Sequence, residues 1–344
     1  MTWVARDGSC KALEEPVVVQ ARTVGMAGST LGGGLGWLSG MHGAVCDNLL
    51  SAELMTSDGR TVAASATENP DLFWGLRGAG ANFGVTTSFE YQLHPLPEFT
   101  AGGFTYQMRD ARAVLRFFRD FMAAAPDELQ AYPWFGWLPD GDRCVEVVVC
   151  YAGDGKHARA VFEPLRAVAV PVIDTVRPRS YAETLAIGVN SPDAPPSGYS
   201  AVKGTYLEHL SDEAIDIVLD HMARAPASGL VGLDHYMHGA VCRVAPDATA
   251  FSLRAAGALF LWIGTGWDEP SFEASSTGWM DDTWRALQSY SGGRIYTNYQ
   301  STEGVAANQE AFGAGYARVR ALKKKYDPTK FFQRNQNIRP GADS

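Results

Sequence analysis

Residues 23–95 read TVGMAGSTLGGGLGWLSGMHGAVCDNLLSAELMTSDGRTVAASATENPDLFWGLRGAGANFGVTTSFEYQLHP, and this stretch decides the fold. It holds two glycine-dense loops, 25–36 and 78–84. Glycine lacks a Cβ, accepts positive φ and lets a ligand approach the main chain closely. Two such loops in one compact segment point to backbone amides gathered around an anionic or flat group. Between them, Asp58-Gly59 separates strand-like runs at 53–55 and 61–64, which is a hairpin signal. Asn69-Pro70-Asp71 opens a short helix, with Asn as the cap, Pro in the first turn and Asp at the positive end. The run 85–93 is strand-like and ends at His94-Pro95.

Beyond this stretch the pattern repeats. A strand at 103–107 leads to a helix from Asp110, with Val114, Leu115, Phe118, Phe121 and Met122 on one face. Strands follow at 132–138 and 143–151, then a helix from Asp154 and a strand at 171–176. After the Pro/Ser/Gly loop 190–200, Ser211 caps a helix carrying Ile215, Val218, Leu219 and Met222. Strands at 230–237 and 249–264 and a helix within 270–290 complete the second round. Strands joined in hairpin-like pairs and alternating with helices predict an α+β fold. The expected form is one large, mainly antiparallel sheet covered by helices on one face, with the other face left for a ligand. The tail predicts a strand at 294–299, a helix at 308–325 and a closing phrase, 326–340, rich in side-chain amides.

Composition bounds the function. With 46% apolar and 19% charged residues in 344, the chain folds into one large or two ordinary domains. A formal charge of −9 argues against nucleic acid or an anionic membrane as partner. Lys323, Lys324 and Lys325 form the one dense basic run, read as a solvated helix end. The five cysteines, Cys10, Cys46, Cys144, Cys150 and Cys242, are odd in number and lack CxxC spacing, so neither a disulfide framework nor a metal site is expected. Cys144 and Cys150 lie in an apolar run and read as core thiols. No apolar run reaches the roughly 18 residues of a membrane span, and the first 30 residues lack a signal-peptide core. A cytoplasmic protein is the expectation.

Five phrases, in order, carry a resemblance: Gly32-Gly33-Gly34-Leu35-Gly36-Trp37, Asp47-Asn48-Leu49-Leu50, Asn69-Pro70-Asp71-Leu72-Phe73-Trp74, Asn82-Phe83-Gly84-Val85 and Asn335-Gln336-Asn337-Ile338. Together they resemble the berberine-bridge-enzyme-like branch of the FAD-linked oxidases, with its vanillyl-alcohol-oxidase or PCMH type of flavin domain. The resemblance covers nearly all of the chain from Thr23. It implies a bipartite fold: residues 1–97 as the C-terminal part of the FAD-binding domain, 98–300 as the substrate domain, and 301–344 as a berberine-like segment returning to the flavin domain. The family's N-terminal flavin subdomain, with its covalent histidine, would precede this chain. Ala21 aligns with the cysteine of bicovalent members, so FAD is expected to bind non-covalently.

The resemblance assigns backbone or side-chain contact with FAD to Gly32, Gly33, Gly34, Gly36, Asn82, Gly84, Val85, Asn335 and Asn337. It matches Tyr296-Thr297-Asn298 to the family's Tyr-x-Asn phrase, in which the tyrosine is a base. On a strand, Arg294, Tyr296 and Asn298 would share a face. A guanidinium beside the phenol would lower its pKa toward a useful range. Arg254 matches a substrate-domain strand of the family and is a candidate for orienting substrate. Trp134 could line a ring-sized pocket or belong to the core. His235 and His238 fall on opposite strand faces and are poor co-ligands for a metal. The implied activity is hydride transfer from a hydroxyl- or amine-bearing carbon of a sugar or natural product to flavin, then to O2, with a small-molecule substrate. Two alternatives stay open: an inactive relative acting as a small-molecule or glycoside binding module, and a dehydrogenase that avoids oxygen.

Overall fold

The structure is a computed structural model that describes residues 14–21, 23–187, 198–299, 309, 311–333 and 338–340. Asn335 and Asn337 lie outside the described residues.

Two βαββα units build the large sheet. The first runs Phe99–Gln107, Ala111–Ala123, Leu129–Trp137, Arg143–Ala152 and Gly155–Val168. The second runs Tyr199–Leu207, Asp212–Ala223, Leu230–Asp234, Leu259–Trp267 and Glu273–Leu287. All strand pairs in this sheet are antiparallel. Leu129–Trp137 and Leu230–Asp234 are neighbours at its centre, and each unit adds its other long strands outward in the same relative order. At the first unit's edge, Ile173–Asp174 and Arg177–Arg179 both pair with Phe99–Gln107.

Strand parity sorts the two faces. Val145, Val147, Val149, Val231, Leu233, Leu259, Leu261 and Ile263 point to one face and pack with Leu115, Phe118, Phe162, Ile215, Val218 and Met280 of the helices. The expected helical face is there, with Val114, Leu115, Phe118 and Met122 buried and Phe121 only half-buried. Asp154 and Ser211 cap their helices through side-chain oxygens. The residues between the apolar ones, Trp134, Gly232, Asp234 and Trp262 among them, point to the face without helices.

That face is covered by the flavin-type segment. Leu49–Met55 pairs with Thr61–Ser65 across the Asp58-Gly59 turn and with Val85–Tyr91 on its other side. Glu14–Pro16 pairs with Leu93–Pro95. Pro70–Ala79 forms the expected helix, but Asn69 does not cap it through its side chain; its φ is +46° and its Nδ2 donates to Ala63 O instead.

Several expectations are corrected. Residues 249–258 are not strand; the chain there follows an irregular path fixed by Arg254. Residues 294–299 are not a strand either, and Thr297–Tyr299 is a 3-10 turn. Lys323 is not solvated. Its ammonium is fully buried and donates to Asn82 O (2.7 Å), Phe332 O (2.6 Å) and Asp327 Oδ2 (2.6 Å). Burial lowers its pKa, and the Asp327 carboxylate opposes that. Cys46, Cys144 and Cys150 are buried free thiols.

Candidate functional site

A cavity of about 570 Å³ opens between the helix-free face of the sheet and the flavin-type segment. This lies within the usual range of small-molecule sites. One side is made of small residues: Gly25, Gly28, Ser29, Gly32, Gly78 and Ala79. The other is made by Trp134, Asp234, His235 and Trp262 of the sheet and by Tyr296, Asn298 and Tyr299 of the 3-10 turn. The segment 19–21 closes one edge.

The strongest polar arrangement is centred on Asp234. Tyr299 Oη donates to Asp234 Oδ2 at 2.6 Å, and Gln20 Nε2 donates to Asp234 Oδ1 at 2.8 Å. Asp234 is the last residue of its strand and is buried. Burial holds the Tyr299 hydroxyl well above the ordinary tyrosine range, and the adjacent carboxylate adds to this. His235, with φ +46°, turns the chain off the strand and lines the same cavity. Burial lowers its pKa, so it is neutral. Gly204 makes room for Tyr299, because a Cβ there would collide with the tyrosine.

Tyr296 faces the cavity, but not as a base lowered by arginine. Gly34 N donates to its Oη at 3.1 Å and Asn298 Nδ2 at 2.9 Å, both favouring ionisation, yet burial outweighs them and raises its pKa. The strand that would have aligned Arg294 with it is absent. Arg294 Nη2 instead donates to Ser252 O and Oγ. A phenol in this setting stays protonated. Asn298 also donates to Ser29 O, so the turn is tied to the glycine loop.

Of the other expected residues, Gly32 and Trp134 line the cavity, and Gly33, Gly34, Gly36, Asn82, Gly84, Val85 and Arg254 do not. Their groups are engaged within the chain. Gly33 N donates to Thr30 O, Gly34 N to Tyr296 Oη, and Gly36 N to Ser39 Oγ. Asn82 holds the tail: its Oδ1 accepts from Ile338 N and its Nδ2 donates to Ala79 O. Gly84 lies close under Met55 O and Leu54, and Val85 is exposed. Arg254 is a staple rather than a substrate contact. Its guanidinium, fully shielded, donates to both carboxylate oxygens of Asp47 (2.9 and 2.7 Å) and to Val241 O and Thr249 Oγ1.

Sequence reasoning missed Asp234, Tyr299, Gln20 and Trp262. One signal was present: Asp234 is the lone carboxylate in an apolar strand, in phase with Gly232 on the face left for ligand. Among the described residues no group of three or more His, Cys, Asp or Glu could hold a metal. Nor is any described helix long and apolar enough to cross a membrane.

Comparison with known proteins bears on the fold. The family model described as berberine and berberine like matches residues 295–339, the segment that carries Tyr296 and Tyr299. The (R)-6-hydroxynicotine oxidase of Paenarthrobacter nicotinovorans is 29% identical over 340 residues, covering 92% of this chain and 71% of that protein. The solved structure of chitooligosaccharide oxidase matches with a TM-score of 0.79 at 24% identity, over 96% of this chain and 74% of that one. A variant of berberine bridge enzyme described as a reticuline dehydrogenase matches in fold with a TM-score of 0.85 at 18% identity, over 97% of this chain and 74% of that one. With an α+β fold of this kind, a glycine-lined cavity and a C-terminal turn beside it, the chain is similar to the berberine-bridge-enzyme-like FAD-linked oxidoreductases.

Proposed function

We propose that the protein oxidises a carbon bearing a hydroxyl or amine on a small, ring-containing molecule, with the Tyr299–Asp234 pair taking the proton. The cavity fits the flavin. Gly25 and Gly28 are bare, since a Cβ at either would meet nothing within 4 Å, and a flat ring system can lie against such backbone. Bound FAD supplies a two-electron acceptor for the hydride, and dioxygen its reoxidant.

The chain's own residues handle the proton. The observation that carries the reading is the 2.6 Å hydrogen bond from Tyr299 Oη to Asp234 Oδ2 within the cavity. Tyr299 cannot lose its proton to water at neutral pH, but it can pass that proton to Asp234 while accepting one from the substrate. The relay leaves neutral tyrosine and a protonated Asp234, so no phenolate forms next to a carboxylate. Tyr296, kept protonated, is a donor that orients substrate. Trp134 and Trp262, whose ring centroids stand 5.2 Å apart at 83°, form an aromatic corner for the substrate ring.

The test is anaerobic flavin bleaching by a panel of chitooligosaccharides, xylobiose, (R)-6-hydroxynicotine and (S)-reticuline, followed by aerobic peroxide detection. At least one member bleaches the flavin, and Asp234→Asn slows that bleaching about 10²-fold or more, the scale of losing a general base. Flavin content stays unchanged in the variant. Equal bleaching rates in parent and Asp234→Asn would remove the assignment. Bleaching without peroxide would make the protein a dehydrogenase.

A further inference from the structure

Gln20 is out of place for a wall residue. It belongs to the extended segment that closes the cavity beside Ala21, on the flavin-type side, while Asp234 belongs to the sheet. The two are 214 positions apart in sequence and joined by the 2.8 Å contact from Gln20 Nε2 to Asp234 Oδ1. The other carboxylate oxygen takes Tyr299, so the two donors fix the plane of the carboxylate between them. Its base, the strand end, fixes only the Cα position.

We propose that Gln20 is a positioning residue for the proton acceptor, holding the Asp234 carboxylate so that Oδ2 faces Tyr299. The inference rests on Asp234 and Tyr299 being that acceptor pair. A carboxylate free to rotate about its own bonds would meet Tyr299 only part of the time. Displacements of this kind cost catalysis far more than they cost binding. The titratable groups that face the carboxylate are Tyr299, Tyr296, Tyr132 and His235, whose Nε2 is 3.9 Å away. Burial keeps the three phenols protonated and His235 neutral, so none of them replaces Gln20 as an orienting charge. The position of Gln20 is in turn set by its segment. Val18 N donates to Tyr181 Oη at 3.4 Å, and Gly36 lets the backbone of Val18 and Val19 approach closely. The residue that aims the acceptor is therefore built into the wall on the cofactor side.

The test compares Gln20→Met, similar in length but without a donor, with the parent. In flavin-loaded enzyme with the best member of the substrate panel, Gln20→Met lowers kcat about 10-fold to 100-fold. KM and the FAD dissociation constant, the latter read by quenching of flavin fluorescence, stay within about 2-fold, because a positioning residue acts on the chemical step. An unchanged kcat would overturn the role. So would a loss of FAD affinity that matches the loss of kcat, which would make Gln20 part of the cofactor wall. Asp234→Asn, measured in parallel, separates failure of this role from failure of the acceptor assignment. A second readout needs no substrate: the Gln20 side-chain amide NMR signals, identified by their loss in Gln20→Met, shift in Asp234→Asn. Signals that do not move would show that the contact is absent and would overturn the inference by themselves.

Discussion

The two βαββα units of the large sheet start from the same plan and diverge at one connection. In the first, Leu129–Trp137 and Arg143–Ala152 are joined by the tight turn 138–142, where Leu138 N donates to Asp142 O at 2.7 Å. In the second, the equivalent strands Leu230–Asp234 and Leu259–Trp267 are joined by the long excursion 235–258. The short turn stays at the sheet's end. The excursion brings His235 into the cavity and sends Arg254 to Asp47 in the flavin-type segment. A strand end that folds back at once contributes to the core, whereas one that detours can carry a site and fasten a second layer.

The units also differ along one row of the helix-free face. Glu146 pairs with Trp134, Trp134 with Gly232, and Gly232 with Trp262. Where the first unit places a tryptophan next to the centre, the second places a glycine. Where the second places a tryptophan one strand farther out, the first places a glutamate. A Cβ at Gly232 would collide with the Trp134 ring, so the glycine is what allows that indole to sit across the centre line. The asymmetry gives the cavity an aromatic corner on one side only.

The contrast can be broken at its largest element by Arg254→Met. Removing the guanidinium leaves the Asp47 carboxylate buried beside Cys46 without its partner. Losing one member of such a pair costs about 3–5 kcal/mol. Thermal unfolding should show a large drop in Tm and, in the variant, weaker flavin retention. A Tm unchanged from the parent would mean that the excursion is not fastened there.

A smaller effect is expected from Gly232→Ala. The added methyl meets Trp134, and forced repacking of this kind costs about 1–3 kcal/mol. Chemical denaturation measures the loss. Flavin binding should persist while the substrate preference across the panel changes, because the aromatic corner moves and the glycine-lined side does not.

The smallest effect has the opposite sign. Glu146 is half-buried and its pKa is raised by desolvation. Its folded form resists ionisation, so stability is complete below the unfolded pKa, near 4.3. It falls as pH rises from there through the folded pKa. Glu146→Gln abolishes that loss. The variant should match the parent in Tm at about pH 4 and exceed it at pH 7. A variant less stable than the parent at pH 7 would show that the carboxylate has a stabilising partner.

How far the sequence could be read follows from which interactions are local. Period-2 runs and capping residues are local, so the repeated helix–strand pattern, the Asp58-Gly59 hairpin and the caps at Asp154 and Ser211 were legible. Residues 249–258 and 294–299 look like strands because apolar and aromatic residues run through them, yet long-range contacts set their path. Arg254 pins the first to Asp47, and Asn298 pins the second to Ser29. The site followed the same rule. Gly32, Tyr296 and Asn298 were singled out by the phrases they stand in and Trp134 by its ring, and all four line the cavity. Asp234 and Gln20 were not, because each acquires meaning only through a partner more than sixty positions away.

The buried ammonium of Lys323 turns the helix Tyr316–Tyr326 into a latch. It grips the main chain of the second glycine loop at Asn82, and Ile338 grips the same residue through its side chain. Lifting the tail away would carry that ammonium out with it, leave the buried Asn82 carbonyl without its donor and release the loop that supplies Gly78, Ala79 and Ala81 to the cavity wall. A protease cut on the N-terminal side of this lysine should therefore register first as a leak of cofactor rather than as unfolding of the sheet.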